Sequence, residues 1–214
     1  MKEKLQSAIQ EAIEVAPERS FVESVELSFT IKDVDLKVPT NRIQEEIRLP
    51  SGRGKPVKIA MFAGGEMATK ARAAGIDIID PSTIEDLGGN RQRARKVAKQ
   101  FDFFLSEIPH MGTVGRHLGG VLGPRGKMPR PVPPALDPSA LANGLKDTAV
   151  VRSRDRVTFH TAVGSREQGL DDLTSNAIAI WDRVTSKLER GAGNIRSCYV
   201  KTSMGPSVKV EVII

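Results

Sequence analysis

Near the end of the chain, from Ser197 to Val210, the sequence reads SCYVKTSMGPSVKV. Residues of high β propensity lie on both sides of the pair Gly205-Pro206, and a glycine followed by a proline is typical of a turn. The stretch therefore predicts a strand, a tight turn and a second strand. Val212, another β former, is expected to continue the second strand.

The predicted turn is rich in small hydrogen-bonding groups, with hydroxyls from Thr202, Ser203 and Ser207. Met204 is expected to be exposed, and Gly205 leaves the backbone open to close approach by another molecule. Serine and threonine are also ordinary turn residues. The hairpin alone is thus equally compatible with a binding surface and with a simple turn.

Composition limits the class of protein. The chain has 214 residues, 39% hydrophobic and 27% charged, which is enough for one large domain or two small ones with real cores. Aromatic residues make up only 4%, which argues against a base-stacking sheet. A single cysteine, Cys198, gives no internal disulfide and no cysteine metal site, as expected in a reducing cytoplasm. Neither a signal peptide nor a membrane span is predicted.

Both ends of the chain combine alternating strand patterns with amphipathic helices. The alternation of apolar and polar residues predicts two antiparallel strands with one solvent-facing side near the start. The elements predicted at the two ends are a helix at Lys4–Ala16 ended by Pro17, strands at Ser24–Thr30 and Arg42–Leu49, a strand region from Thr148 to Thr161, a turn at Gly164–Arg166 and a long helix from Leu170 to Leu188.

The middle of the chain has a different pattern. Two prolines and two glycines within Leu49–Pro56 mark a break, and Val57–Ala63 is then almost continuously apolar, as in a strand buried on both faces. Strands and helices alternate from there to a helix at Pro138–Lys146, which predicts a parallel α/β sheet. Four glycines and five prolines in Gly119–Pro134 predict a long irregular surface loop.

We therefore predict two domains and a mixed α/β and α+β fold class. Residues 1–52 and 148–214 form a split, β-rich α+β domain, and residues 53–147 form an inserted α/β domain, joined by two neighbouring crossings that make a natural hinge. The inserted segment carries 15 basic and 9 acidic side chains, a net charge of +6, whereas the rest of the chain has 17 of each. The excess charge of the chain thus lies on the insert.

Two basic groups in the insert are plausible contacts for phosphate. One group, on a predicted helix, consists of Arg91, Arg93, Arg95, Lys96 and Lys99, and the other, on the predicted loop, of Arg125, Lys127 and Arg130. For the helical group a solvated helix face is the commoner explanation.

Motifs of common enzymes are incomplete. Only Gly64-Gly65 follows the buried strand, where a dinucleotide site needs three spaced glycines, and a phosphate loop fails at Val121 and Met128. The three histidines lie in unrelated contexts, and no nucleophile is near a base in sequence. The sequence therefore supports no catalytic residue, no metal site and no cofactor.

Three segments carry a resemblance to a known family: GRHLGGVLGPRGKMP at Gly115–Pro129, SMGPSV at Ser203–Val208 and LPSGRGK at Leu49–Lys55. Through them the chain resembles the large ribosomal subunit protein one family of the mobile rRNA stalk, in its archaeal type. The resemblance implies that the split domain binds large-subunit rRNA and that the insert is a Rossmann-like, three-layer domain without a nucleotide. It also implies a cytoplasmic, ribosome-associated chain, monomeric when free and not an enzyme, that represses its own operon mRNA and helps deacylated tRNA leave the exit site.

The resemblance also implies which residues contact RNA. They are Phe21, Glu23, Ser24, Glu26 and Thr30 from the first strand region, then Ser197, Ser203, Met204, Gly205 and Pro206 from the hairpin, with Arg125, Lys127 and Arg130 as secondary contacts. Carboxylates in such a site are expected to accept from 2′-hydroxyl or base amino groups. The family usually has threonine where this chain has Ser203, so the hydroxyl is kept and the methyl group, with the contact it would make, is absent.

Two other functions remain open from the residues. A nucleotide-dependent enzyme would bind its ligand at Gly64-Gly65, and soaking with nucleotides would reveal it. A dedicated mRNA repressor would act away from the ribosome, and it would fail to co-sediment with large subunits at high salt.

Overall fold

The computed structural model describes residues 1–134 and 136–211. Its helices are α1 (Lys2–Val15), α2 (Gly65–Ala73), α3 (Ile84–Gly89), α4 (Arg91–Gln100), α5 (Ile108–Leu122), α6 (Pro138–Lys146) and α7 (Leu170–Lys187). Its strands are β1 (Ser24–Ile31), β2 (Gln44–Arg48), β3 (Ile59–Phe62), β4 (Asp77–Ile79), β5 (Phe103–Glu107), β6 (Arg130–Val132), β7 (Thr148–Arg152), β8 (Thr158–Ser165), β9 (Ile195–Thr202) and β10 (Ser207–Val210). The predicted contribution of Val212 to the last strand lies outside the described residues.

The chain divides into two compact units. The first combines Met1–Lys55 with Asp147–Ile214, and the second is Pro56–Lys146. Antiparallel sheets in the first unit and a parallel sheet in the second confirm the predicted mixed α/β and α+β class. The roles assigned to the two predicted domains stay predictions.

The main sheet of the first unit has one buried face. Its strand order is β10-β9-β1-β8, and all neighbours are antiparallel. Along β1, Val25, Leu27 and Phe29 are buried and alternate with half-buried polar residues, as predicted. The Phe29 ring lies 5.5 Å from the ring of Phe159 and 6.0 Å from that of Trp181 on α7, measured between centroids. The opposite face of the sheet is the polar one.

The second strand of the chain does not extend this sheet. β1 already has β8 and β9 on its two edges, so β2 pairs antiparallel with β7 instead. The expectation of β1 and β2 as one antiparallel pair is therefore wrong. Glu45 on β2 also contacts α7, since its carboxylate lies 2.7 Å from Arg183 and 3.2 Å from Lys187.

The predicted turn at Gly164–Arg166 begins too early. Gly164 and Ser165 are still part of β8, where they pair with Val25 and Ser24 of β1. Glycine in a strand lowers its local propensity, but both residues are buried, and the ladder bonds to β1 outweigh that cost.

The second unit is a three-layer α/β domain. Its parallel sheet has the order β4-β3-β5-β6, and every residue of β3 is buried, as predicted from the apolar run. Side chains alternate between two cores. Phe62 and Phe104 stack at 5.9 Å in one core, and Met61 and Leu105 lie in the other.

The predicted loop at Gly119–Pro134 is wrong at both ends. Helix α5 continues to Leu122, and residues from Arg130 form β6 beside β5. Val121 and Leu122 are buried in the core, and that burial outweighs the cost of about 1 kcal/mol for each helical glycine before them. Irregular backbone within the predicted loop is thus found at residues 123–129 and 133–134.

A buried side-chain amide, that of Asn176, and Lys55 hold the first crossing segment on the first unit. The side chain of Asn176 accepts from Ser51 N–H at 3.0 Å and donates to the carbonyl oxygens of Gly52 and Val163 at 2.8 and 3.0 Å. Lys55 Nζ donates to the carbonyl oxygen of Val22 at 2.6 Å. The first unit therefore reaches Lys55, three residues beyond the boundary predicted at residue 52.

Candidate RNA-binding site

The closing hairpin has the predicted form, with β9 and β10 antiparallel and residues 203–206 between them. We call these four residues the hairpin tip. Met204 is the most exposed large apolar residue among those described, at 61%, which confirms the prediction that it is exposed. Pro206 is exposed too.

The hairpin tip is fastened to the start of β1. Ser24 N–H donates to Ser203 Oγ at 3.1 Å, and Ser203 N–H donates to the Ser24 carbonyl oxygen at 3.0 Å. These bonds bring together two groups of predicted site residues that are 179 positions apart in sequence. The Ser203 hydroxyl therefore already has a partner within the protein.

The buried carboxylate of Glu23 fixes the position of the hairpin tip. Its side chain is only 1% exposed, its Oε1 accepts from Met204 N–H at 2.8 Å, and its Oε2 lies 3.1 Å from Arg166. Burial alone would raise the pKa of Glu23, but the Met204 N–H and the Arg166 guanidinium together hold that pKa below its ordinary value. Both carboxylate oxygens of Glu23 are thus used inside the protein, where they position the tip, and the predicted contact of Glu23 with RNA stays a prediction.

Arg166 completes this arrangement, and sequence reasoning treated it only as part of a turn. Its guanidinium donates to Glu23 and to three carbonyl oxygens at the end of α1, those of Ile13, Ala16 and Pro17, at 3.0 to 3.1 Å. A cation at the last carbonyls of a helix is favoured by the helix dipole. No local pattern marks this residue, since its partners are about 143 to 153 positions away.

Gly205 is required for a reason other than the predicted one. A Cβ at this position would overlap the Thr202 hydroxyl and lie 3.0 Å from the Cβ of Ala16. The missing side chain therefore makes room for the tip to pack inward against the protein. The expectation that the glycine leaves the backbone open to another molecule stays a prediction.

The polar face of the main sheet adjoins the tip. The register places Glu26 opposite Lys201, and Thr30 opposite Ser197. All four side chains are half-buried. The same face also includes Ser28, Tyr199, His160 and Thr158, which the sequence reasoning did not assign. Their alternation with buried residues would have identified them once the strand pairing was known.

Phe21 adds a large apolar side chain three residues before β1. It is 49% exposed, and Val22 beside it is 41% exposed. The site thus combines exposed apolar side chains with hydroxyls and amides on a fixed backbone.

Comparison with known proteins gives the family. Residues 9–206 match the model of the ribosomal protein L1p/L10e family. The chain belongs to this family. It is 46% identical over 204 residues to large ribosomal subunit protein uL1 of Methanocella arvoryzae, which covers 95% of this chain and 96% of that protein. It is 47% identical to the uL1 protein of Thermoplasma acidophilum, over 95% and 94% of the two chains, and 44% identical to that of Archaeoglobus fulgidus, over 98% of each.

As a member of the ribosomal protein L1p/L10e family, the chain is not an enzyme. In its second unit, one of the two glycines at which the rival nucleotide function would bind is engaged within the chain. Gly64 N–H, at the start of α2, donates to Glu107 Oε1 at 3.2 Å, and Glu107 Oε2 lies 3.5 Å from His110 Nε2. A carboxylate of the chain itself therefore accepts the Gly64 N–H hydrogen bond at a helix start, a position that favours anions.

The predicted secondary contacts of this family member are engaged within the second unit. Arg125 donates to the Val121 carbonyl oxygen at 2.8 Å, and Lys127 Nζ donates to the carbonyl oxygens of Ala98 and Phe101 at 3.0 and 2.6 Å. The Arg130 guanidinium lies 5.6 Å from the centroid of the Phe103 ring, a cation–π contact. Their predicted role toward RNA stays a prediction.

Within residues 1–134 and 136–211, no group of three or more His, Cys, Asp or Glu side chains is arranged to hold a metal ion. The same residues contain no helix that is both long and apolar enough to cross a membrane.

Proposed function

We propose that this chain is a structural component of the large ribosomal subunit that binds large-subunit rRNA through the hairpin tip and the start of β1. The observation that carries the proposal is the fastening of the tip by Glu23, Ser24 and Ser203, which presents the exposed Met204 on a fixed backbone. A site ordered before binding loses less conformational entropy when it binds. The names of the relatives, all large ribosomal subunit protein uL1, support the ribosomal partner.

Recognition at this site would rest on shape and hydrogen bonds more than on charge. The predicted RNA-binding part of the chain, residues 1–52 and 148–214, has as many acidic as basic side chains. Half-buried hydroxyl groups along β1 and β9 suit 2′-hydroxyls and unpaired bases, the features by which proteins distinguish RNA. Phe21 and Met204 would pack against the sugar or base surfaces.

Two finer functions follow from the family resemblance. The same tip would repress the chain's own operon mRNA where that mRNA folds into a similar structure, and the bound stalk would help exit-site tRNA to leave the ribosome. The chain would be monomeric when free, ribosome-associated and cytoplasmic. Co-sedimentation with large subunits at high salt separates this proposal from a dedicated mRNA repressor.

Met204→Ser tests the proposed site. Because the Met204 side chain is mostly exposed, its replacement is expected to leave stability within about 0.5 kcal/mol of the parent. We expect affinity for large-subunit rRNA to fall about tenfold, or 1.4 kcal/mol, because a desolvated apolar contact with the RNA is removed. Filter binding with thermal melts measures both quantities.

Val38→Ser is the matched control, since Val38 is 43% exposed in the same unit and outside the site. Its rRNA affinity is expected to equal that of the parent. Equal affinities for parent and Met204→Ser would place the RNA elsewhere.

Removal of the second unit tests the proposed division of roles. Leu49 N–H donates to the Asp147 carbonyl oxygen at 2.8 Å, so the chain leaves and re-enters the first unit at neighbouring points. A short flexible linker in place of residues 56–146 is therefore expected to give a folded protein that binds rRNA within about threefold of the parent. A folded product without rRNA affinity would contradict the assignment of binding to the first unit.

A further inference from the structure

Helix α4 carries an unusual concentration of positive charge. Five of its ten residues are basic, and all five side chains, those of Arg91, Arg93, Arg95, Lys96 and Lys99, are exposed. Ala94 and Ala98 are buried and face the core. At 100° per residue, Arg93, Lys96 and Lys99 lie on the side of the helix away from these alanines, and Arg95 lies at the edge of that side. We call this side the α4 face.

We propose that the α4 face is a second RNA-binding surface, which holds consecutive phosphates of an RNA backbone. The proposal rests on the proposed function only in assuming that the chain binds RNA. The phosphate contact that it assigns to the α4 face is separate from the contacts of the hairpin tip.

The cations of α4 have no acidic partners among the described residues. Among the residues that the structure describes, none of the five forms a salt bridge, although α2 in the same unit has a Glu66–Lys70 pair at 2.8 Å. An ordinary solvated helix face usually interleaves charges of both signs. The α4 face lacks that pattern.

The positive charges of α4 lower the stability of the helix itself. Arg91 and Arg95, like Arg95 and Lys99, are like charges one turn apart, and such pairs destabilise a helix. The first turn of α4 contains no acidic residue and two arginines, at the end where the helix dipole disfavours cations. Asn90 caps the helix by accepting from Gln92 N–H and Arg93 N–H at 3.2 and 3.1 Å. Local charges that oppose the local structure are expected where a partner supplies the compensating charge.

The chemistry of the face selects the partner. Arginine and lysine side chains bind phosphate, and the remaining exposed residues of the helix, Gln92 and Gln100, are amides that donate to phosphate oxygens. Aromatic residues, on which bases stack, are missing from α4. Arg95 and Lys99 are separated by about 6 Å along the helix axis, so the face extends along a backbone and does not enclose a single ion. The α4 face is therefore expected to recognise the RNA backbone, independently of the RNA sequence.

The basic loop is a weaker candidate for this role. Lys127 and Arg125 donate to backbone carbonyl oxygens of the same unit, at 2.6 to 3.0 Å, so part of their hydrogen-bonding capacity is used internally. Of the two basic groups predicted from sequence, the helical one is thus better placed to contact RNA.

The test compares two triple variants of the full chain. R95Q/K96Q/K99Q removes three charges from the α4 face, and K58Q/R72Q/R116Q removes three exposed charges from other elements of the same unit. Binding to a short RNA duplex of unrelated sequence is measured by fluorescence anisotropy between about 50 and 200 mM salt. We expect the α4 variant alone to lower the slope of log affinity against log salt by about two, since each phosphate that is no longer neutralised accounts for about 0.7 to 0.9. Equal reductions in both variants, or none in either, would overturn the proposal, as would binding of an acidic polypeptide as tight as that of RNA.

A second measurement separates binding from folding. R91E/R93E places acids in the first turn of α4, and it is expected to raise the melting temperature of the free chain by a degree or more while weakening duplex binding. A lower melting temperature would show that the arginines stabilise the helix, contrary to the proposal. The same binding measurements with large-subunit rRNA and with tRNA in place of the duplex then identify which RNA contacts the α4 face. If Met204→Ser does not weaken rRNA binding, the hairpin site is contradicted. The duplex assay would still decide whether the α4 face binds RNA.

Discussion

Glu23→Ala is expected to destabilise the first unit by about 3 kcal/mol. This value is at the lower end of the range for removing one partner of a buried ion pair, because Arg166 is partly exposed. The substitution leaves the Arg166 guanidinium without its carboxylate and Met204 N–H without its acceptor. For a unit of this size the melting temperature should fall by about 10 °C. At temperatures where the variant is folded, rRNA affinity should still fall at least about tenfold, because the tip is no longer held.

Glu26→Ala is the control for this experiment. Glu26 lies on the same strand, half-buried on the polar face, and it carries the same charge. Its removal is expected to change stability by no more than about 0.5 kcal/mol. Equal melting temperatures for Glu23→Ala and Glu26→Ala would show that the buried pair does not support the tip.

The pH dependence gives an independent check. The pKa of Glu23 is lower in the folded chain than its ordinary value, so its stabilisation is complete above the unfolded pKa. That stabilisation is lost as the pH falls through the lower, folded pKa. The melting temperatures of the parent and Glu23→Ala should therefore converge under acid conditions, and a constant difference would contradict the role of the carboxylate.

Ser203→Val is expected to reduce rRNA affinity tenfold to a hundredfold. Valine keeps a β-compatible shape but removes the hydroxyl and leaves Ser24 N–H without its acceptor, at a cost of about 1–3 kcal/mol. Part of that cost falls on folding, because the bond lies within the protein. The salt dependence of binding should not change, since no phosphate contact is removed.

Ser203→Thr separates the hydroxyl from the rest of the side chain. It keeps the acceptor for Ser24 N–H and restores the residue usual in the resembled family, so its affinity should equal or exceed that of the parent. Filter binding at several salt concentrations, with thermal melts, measures the series. If Ser203→Val binds as the parent does, the bond between the tip and β1 has no part in recognition.

Periodicity predicted the elements whose burial is regular. The two-residue alternation of β1, the apolar run of β3 and the apolar side of α7 each identify the element and its buried face. The end of helix α5 was predicted as loop because Gly119 and Gly120 lower local helix propensity. The burial of Val121 and Leu122, which extends the helix, depends on a sheet that local sequence does not reveal.

Pairings between distant residues were beyond sequence reasoning. The choice of β7 as the partner of β2 depends on β1 having both edges occupied, and no local pattern contains that information. The same holds for the site. Family resemblance gave the hairpin residues, but not the Arg166–Glu23 pair beneath them or the inward packing of Gly205.

The most direct test of the central claim is to map, by mass spectrometry, the peptides that ultraviolet light cross-links to large-subunit rRNA in the bound full chain. The account predicts cross-linked nucleotides on the peptides that contain Phe21–Glu26 and Ser203–Pro206, with further cross-links on α4 that disappear as salt is raised. Cross-links confined to the second unit, or absent from both hairpin and β1 peptides at high salt, would contradict it.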